Sequence, residues 1–115
     1  MKIFIYEKCD TCRKALKYLQ ERGMKADSVP IRETPPTVAE LKRMLGYVGD
    51  LKRLFNTSGL DYKSLNMKER LPKLTEAEAL ALLASNGNLV KRPFVLTRTG
   101  GTTGFKQEEW DALLA

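Results

Sequence analysis

Two cysteines stand three positions apart in Cys9-Asp10-Thr11-Cys12, and the 115-residue chain contains no others. A structural zinc site held within one chain normally takes four Cys or His ligands, and two Cys with no His cannot supply them. What the pair can do is thiol chemistry: close a small disulfide, or exchange with another one. The thiolate is the attacking species, so one cysteine must sit where negative charge is favoured. An apolar run, Ile3-Phe4-Ile5-Tyr6, leads into the pair, and Cys12, Ala15, Leu16 and Leu19 recur behind it at helical spacing. The thiols therefore fall at a strand-to-helix junction, with the positive end of a helix over residues 11–22 directed at Cys9. Lys8 and Arg13 add positive charge and Asp10 opposes them. In this reading Cys9, ahead of the helix, is the exposed nucleophile, and Cys12, on the apolar stripe, is the more buried resolving thiol. Two inert cysteines would instead show no loss of two hydrogens on mild oxidation.

A second candidate site is Arg92-Pro93, at the start of the apolar run Phe94-Val95-Leu96. Proline removes a backbone donor, and a cis bond there would mark a deliberate turn beside which an extended substrate can dock. Arg92 offers a planar, permanently charged donor set suited to carboxylates, oxyanions or a thiolate. A strand-entry proline with a solvated arginine is the plainer alternative.

These residues need positioning elements, and the sequence marks them. Met1–Tyr6 reads as a buried strand, and Gly23 stops the helix that follows. Lys25–Ile31 carries Val29 and Ile31 where a second parallel strand would complete a right-handed βαβ unit, which Pro35-Pro36 ends. Thr37-Val38-Ala39-Glu40 has capping-box spacing and opens a helix to about Leu45. From Gly46 to Lys73 the pattern breaks into short pieces, with Asp50–Phe55 and Tyr62–Met67 each a helical turn or two and Pro72 at the end. Thr75-Glu76-Ala77-Glu78 is a second capping box, opening a helix that Asn86-Gly87 terminates. Phe94–Thr97 and Thr102–Phe105 read as a hairpin across Thr99-Gly100-Gly101, and Glu108–Leu114 as a closing helix. The expectation is one thioredoxin-like α/β domain over residues 1–115, with βαβ and ββα halves and a helical insertion at about 36–88.

The charge balance bounds the partners. Lys and Arg number 20 against 14 Asp and Glu, a net charge of +6. They are scattered among acids with no base-reading or stacking motif, so the pattern is a solvated basic surface and not a direct nucleic-acid binder. It favours anionic small molecules or an acidic protein partner. With no leader pattern and no run near the roughly 18 apolar residues of a membrane span, the sequence reads as a soluble, cytoplasmic monomer.

Cys9-x-x-Cys12-Arg13-Lys14, the helical insertion, Lys91-Arg92-Pro93-Phe94-Val95 and Gly104-Phe105-Lys106 together resemble the arsenate reductase (ArsC) family of thioredoxin-like proteins across nearly the whole chain. The paired cysteines and the Gly-Phe-Lys ending look more like its Spx and YffB branch than like true arsenate reductases. The resemblance implies that Cys9 is the redox nucleophile, that Pro93 is cis and that Arg92 faces Cys9. Arsenate reductases of the family bring three arginines to the cysteine. Here Arg92 is kept, Ser58 stands where the first is expected and Lys106 where the third is, with Arg53 near enough in sequence to substitute. Losing a guanidinium removes a charge-assisted hydrogen bond of roughly 1.5–3 kcal/mol, a site about tenfold to hundredfold weaker for arsenate. The expected function is a thiol-disulfide oxidoreductase with no bound cofactor and with glutathione or another thiol as co-substrate, acting on a small thiol or protein disulfide. Arsenate reduction is one alternative. The other is a redox-sensing regulator resembling Spx, which would bind the RNA polymerase α subunit.

Overall fold

Ile3 and Phe4 are neighbours on a strand, so their side chains must point to opposite faces of a sheet. Both are fully buried in the computed structural model, which describes residues 1–115, so both faces are covered. The chain runs β1 (Lys2–Ile5), α1 (Asp10–Glu21), β2 (Asp27–Pro30), α2 (Val38–Val48), α3 (Leu60–Ser64), α4 (Met67–Arg70), α5 (Glu76–Ser85), β3 (Phe94–Leu96), β4 (Gly101–Thr103) and α6 (Gln107–Leu113). Single 3₁₀ turns occupy Leu51–Leu54, Leu71–Lys73 and Gly87–Leu89. The sheet order is β2-β1-β3-β4, with β1 parallel to β2 and antiparallel to β3, and β3 antiparallel to β4. This is the four-stranded mixed sheet of an α/β, thioredoxin-like fold.

Register turns the alternation into two cores. Ile3 lies opposite Val95, and Phe4 opposite Phe94. On one face Ile3 and Val95 pack with Ala15, Tyr18 and Leu19 of α1 and Trp110 of α6. On the other, Phe4 and Phe94 join Leu41 and Met44 of α2, Leu83 of α5 and the buried residues of the intervening segment. The two phenylalanines meet edge to face with centroids 5.5 Å apart, an arrangement worth about 0.5–1.5 kcal/mol beyond area burial. No helix is long and apolar enough to cross a membrane.

Both capping boxes form. Thr37 Oγ1 accepts from the Glu40 amide at 3.2 Å while Glu40 accepts from the Thr37 amide at 3.0 Å, and Thr75 with Glu78 repeats the pattern at 3.1 and 2.8 Å. Three elements differ from the sequence reading in where they stop or divide. α2 runs on past Leu45, because a mid-helix glycine such as Gly46 weakens a helix by about 1 kcal/mol without stopping it. The stop is Gly49, left-handed at φ 74°, whose amide returns to the Leu45 carbonyl. The segment expected over Tyr62–Met67 is two short helices, parted by Asn66 at φ 55°. The returning strand of the hairpin is Gly101–Thr103 and not Thr102–Phe105, because Gly104 turns out of the sheet at φ 73°.

Gly87 is required for space and not for its dihedrals. A Cβ there would stand 1.9 Å from the Ile31 carbonyl oxygen, so the turn after α5 lies directly on the chain leaving β2. Gly87→Ala is expected to destabilise the fold by about 1–3 kcal/mol, as overpacking typically does. Thermal unfolding checks it; an unchanged melting temperature would contradict so close a contact.

Candidate functional site

The loop from β1 to α1 shapes the site. The Cys9 amide donates to the Tyr6 carbonyl at 3.0 Å, closing a turn that leaves Cys9 extended at φ −96°, ψ 117°. That is cap geometry, and the Cys9 sulfur accepts from the Cys12 amide at 3.4 Å as a serine or aspartate oxygen would. The positive end of a helix favours negative charge by about 0.3–1 kcal/mol at an exposed position. Cys9 is partly exposed, whereas Cys12 is 1% exposed. Burial pushes the Cys12 thiol up to about 12; a hydrogen bond with the Tyr6 backbone opposes it, the hydrogen bond with Cys9 and the charge there add to it, and Arg92 opposes it least. Both cysteines are free thiols.

Two recesses lie near this loop, one lined by Tyr6 at its start and the other by Thr11 in the first turn of α1, and neither is lined by Cys9 or Cys12. In one of about 230 Å³, Arg92 meets Tyr6, Arg32, Asn56, Leu60 and Asn88. The guanidinium carbons of Arg92 and Arg32 lie 5.2 and 5.0 Å from the Tyr6 ring centroid, and Arg32 also donates to the Tyr6 hydroxyl at 3.1 Å. Arg92 Nη1 is buried and has no hydrogen-bond partner in the chain. The other recess, about 400 Å³, is lined by Thr11, Lys52, Arg53, Lys91 and Lys106 among others. Here Arg53 Nη2 contacts Glu109 at 2.9 Å and Thr102 at 3.4 Å. Burial alone would push the Glu109 carboxyl up, but the hydrogen bonds from Arg53 and Thr102 hold it below its usual range.

The residues singled out by sequence therefore divide. Cys9, Cys12 and Arg92 form one neighbourhood, although Arg92 acts on the Cys12 thiol and packs on Tyr6, and no hydrogen bond joins it to Cys9. The Arg92-Pro93 bond is cis. The Pro93 carbonyl is not left open for a substrate, since it accepts from the Gly104 amide at 2.8 Å. Lys106 lines the larger recess. Ser58 lines neither; it is exposed, with its hydroxyl 3.4 Å from Asn56 Oδ1. Lys8 is exposed and lines neither recess. Arg13 turns to the Glu7 carbonyl at 3.1 Å and Asp10 at 3.4 Å, offsetting the one acid beside Cys9. Arg53 cannot stand in for a missing arginine while Glu109 holds it. Among the lining residues, Tyr6, Arg32 and Lys52 were not picked out as site residues by the sequence reading, and Lys91 entered it only as part of the family motif.

The ArsC family model matches residues 4–113. The chain belongs to the ArsC family. The Bacillus subtilis protein YusI is 47% identical, covering 92% of this chain and 91% of its own length. An arsenate reductase of Neisseria meningitidis is 31% identical over 99% of this chain and 97% of its own. The global transcriptional regulator Spx of Enterococcus faecalis is 29% identical over 88% of this chain and 76% of its own. Among solved structures, an ArsC family related protein from Bacteroides fragilis superposes with a TM-score of 0.93 at 44% identity, covering 97% of this chain and 95% of that one. Within the ArsC family, then, this chain has relatives named as reductases and relatives named as regulators.

The raised Cys12 value has two consequences. Iodoacetamide at pH 7 is expected to alkylate Cys9 first, and peptide mapping that found Cys12 labelled first would contradict the geometry. A thiol raised from 9.0 to about 12 on folding contributes stability that is complete below pH 9 and is lost as pH climbs toward 12. Denaturant melts from pH 8 to 10.5 should show a downward slope that Cys12→Ser reduces.

Proposed function

We propose that the chain is a thiol-disulfide oxidoreductase that draws electrons from glutathione or another small thiol and acts on small-molecule or protein disulfides. The observation that supports this most is the unequal setting of two adjoining thiols: Cys9 partly exposed at a helix cap, Cys12 buried and held protonated. The Cys9 thiolate attacks one sulfur of the substrate disulfide, forming a mixed disulfide, and the other half leaves as a thiolate that takes up a proton. Cys12 then gives up its proton and attacks the Cys9 sulfur, releasing the second half as a thiolate. Two electrons have passed to the substrate and the protein holds a Cys9–Cys12 disulfide. Two equivalents of external thiol restore the dithiol and leave as a disulfide. Arg92, with a buried donor nitrogen unused within the chain, suits an anionic group on the substrate.

Arsenate reduction by the same Cys9 is supported by the likeness to the Neisseria enzyme. Against it stands the guanidinium count: Arg92 is unpaired, but Arg53 is bound to Glu109 and Ser58 lies outside both recesses. Arsenite release with glutathione and glutaredoxin as fast as disulfide exchange would replace the proposal. The likeness to Spx favours a regulator instead, in which the thiol pair switches contact with the RNA polymerase α subunit. Retention on that subunit that depends on the redox state would support the regulator, and its absence counts against it.

Two substitutions test the roles. Cys9→Ser should abolish exchange and Cys12→Ser should trap a mixed disulfide, detectable as an added substrate mass; the reverse pattern overturns the assignment. Arg92→Ala should slow turnover of anionic substrates while changing stability by about 1 kcal/mol or less, the scale of one cation–π contact. A large fall in melting temperature would make Arg92 structural.

A further inference from the structure

The thiol exchange above leaves the larger recess without a role. Its charged lining is Lys52, Arg53, Lys91 and Lys106 against the single carboxylate of Asp50. Arg53 is offset by Glu109 at 2.9 Å. Asp50 already accepts from the Lys52 amide at 3.0 Å, capping the turn that follows. None of the three lysines is in an ion pair, since the five pairs in the molecule involve other residues. Lys91 is also placed by the backbone. A Cβ on Gly104 would come within 3.3 Å of Lys91 Cε, so the lysine stem lies along a glycine that leaves room for it. Gly104 is held in turn by its amide on the Pro93 carbonyl at 2.8 Å and by Trp110 Nε1 on its own carbonyl at 3.0 Å. One step of chain thus sends Arg92 to one recess and Lys91 to the other. Thr11, two residues from Cys9, forms part of the wall, and Phe55 and Phe105 supply apolar surface.

We infer that this recess binds the carboxylates of an anionic thiol or disulfide whose sulfur is presented to Cys9, and that Lys52 and Lys91 select such substrates over neutral ones. The inference rests on the thiol-disulfide reading and adds the substrate class. A volume of about 400 Å³ lies within the roughly 300–1,000 Å³ of small-molecule sites. Three ammonium groups mounted on separate segments are point charges suited to carboxylates spread over a peptide-sized molecule. A compact tetrahedral oxyanion is better matched by forked guanidinium groups.

The test separates binding from exchange. S-methylglutathione carries the carboxylates but cannot exchange. Titrated into reduced protein, it should shift the amide resonances of Lys52, Lys91 and Gly104, with affinity about tenfold lower in Lys52→Ala/Lys91→Ala, the loss of two partly exposed ion pairs. Inorganic phosphate should bind there more weakly than S-methylglutathione. In the reactive arm, the rate of protein oxidation by glutathione disulfide relative to neutral hydroxyethyl disulfide should fall about tenfold in the same double variant. Absence of shifts, affinity unchanged by the substitutions, or phosphate binding as tightly would each overturn the inference. If neither disulfide oxidises the protein while S-methylglutathione still binds at these residues, the binding assignment is upheld and the exchange reading falls.

Discussion

The contact on which the site depends is the Cys9 sulfur capping α1 through the Cys12 amide. An oxygen is the usual occupant of that position. A sulfur there satisfies the same amide and remains the group that reacts, so the start of the helix and the chemistry are fixed by one atom. The cap is steady because β1 lies between β2 and β3, hydrogen-bonded on both sides and buried on both faces through Ile3 and Phe4. Behind it, Ala15, Tyr18 and Leu19 hold α1 against Ile3, Val95 and Trp110. Because α1 is fixed in this way, Cys12 sits one turn beyond Cys9 in apolar surroundings, and the two thiols differ although three positions separate them.

The start of β3 gives the site its second constraint. The Lys91 amide bonds the Leu54 carbonyl and the Gly104 amide bonds the Pro93 carbonyl, both at 2.8 Å, tying three distant segments to one backbone step. From that step Arg92 reaches Tyr6 and Lys91 reaches the basic recess. The net charge of +6 is thus not only a solvated surface. Part of it lines the two recesses near the thiol loop.

Much of this could be read from residue order, for reasons particular to each element. The Thr37 and Thr75 capping boxes are local devices whose partners lie three residues away, and both form as their spacing requires. The strand-to-helix placement of the cysteines was legible because periodicity switches from strand to helix across four residues. Where a boundary slipped, a glycine or asparagine was responsible: Gly46 is tolerated within α2, Asn66 splits a helical segment, and Gly104 leaves the sheet early. The site was less legible. Tyr6, Arg32 and Arg92 meet only because β1 and β2 pair in parallel and β3 joins from the other side. Nothing in the spacing of Arg53 signals its partner Glu109, which comes from the far end of the chain. Ser58 matched an expected arginine by position along the chain, yet the short helices of the insertion leave it in solvent.

Cys9 and Cys12, one partly exposed and the other buried a turn away, are expected to form a reversible redox couple. Its most direct test is the reduction potential of that couple, measured by equilibrating the protein across glutathione redox ratios and quantifying the disulfide by mass. The expected value lies near the cytosolic glutathione poise of about −220 to −260 mV. A pair that forms no disulfide at any ratio, or one below about −300 mV as structural disulfides are, would contradict it.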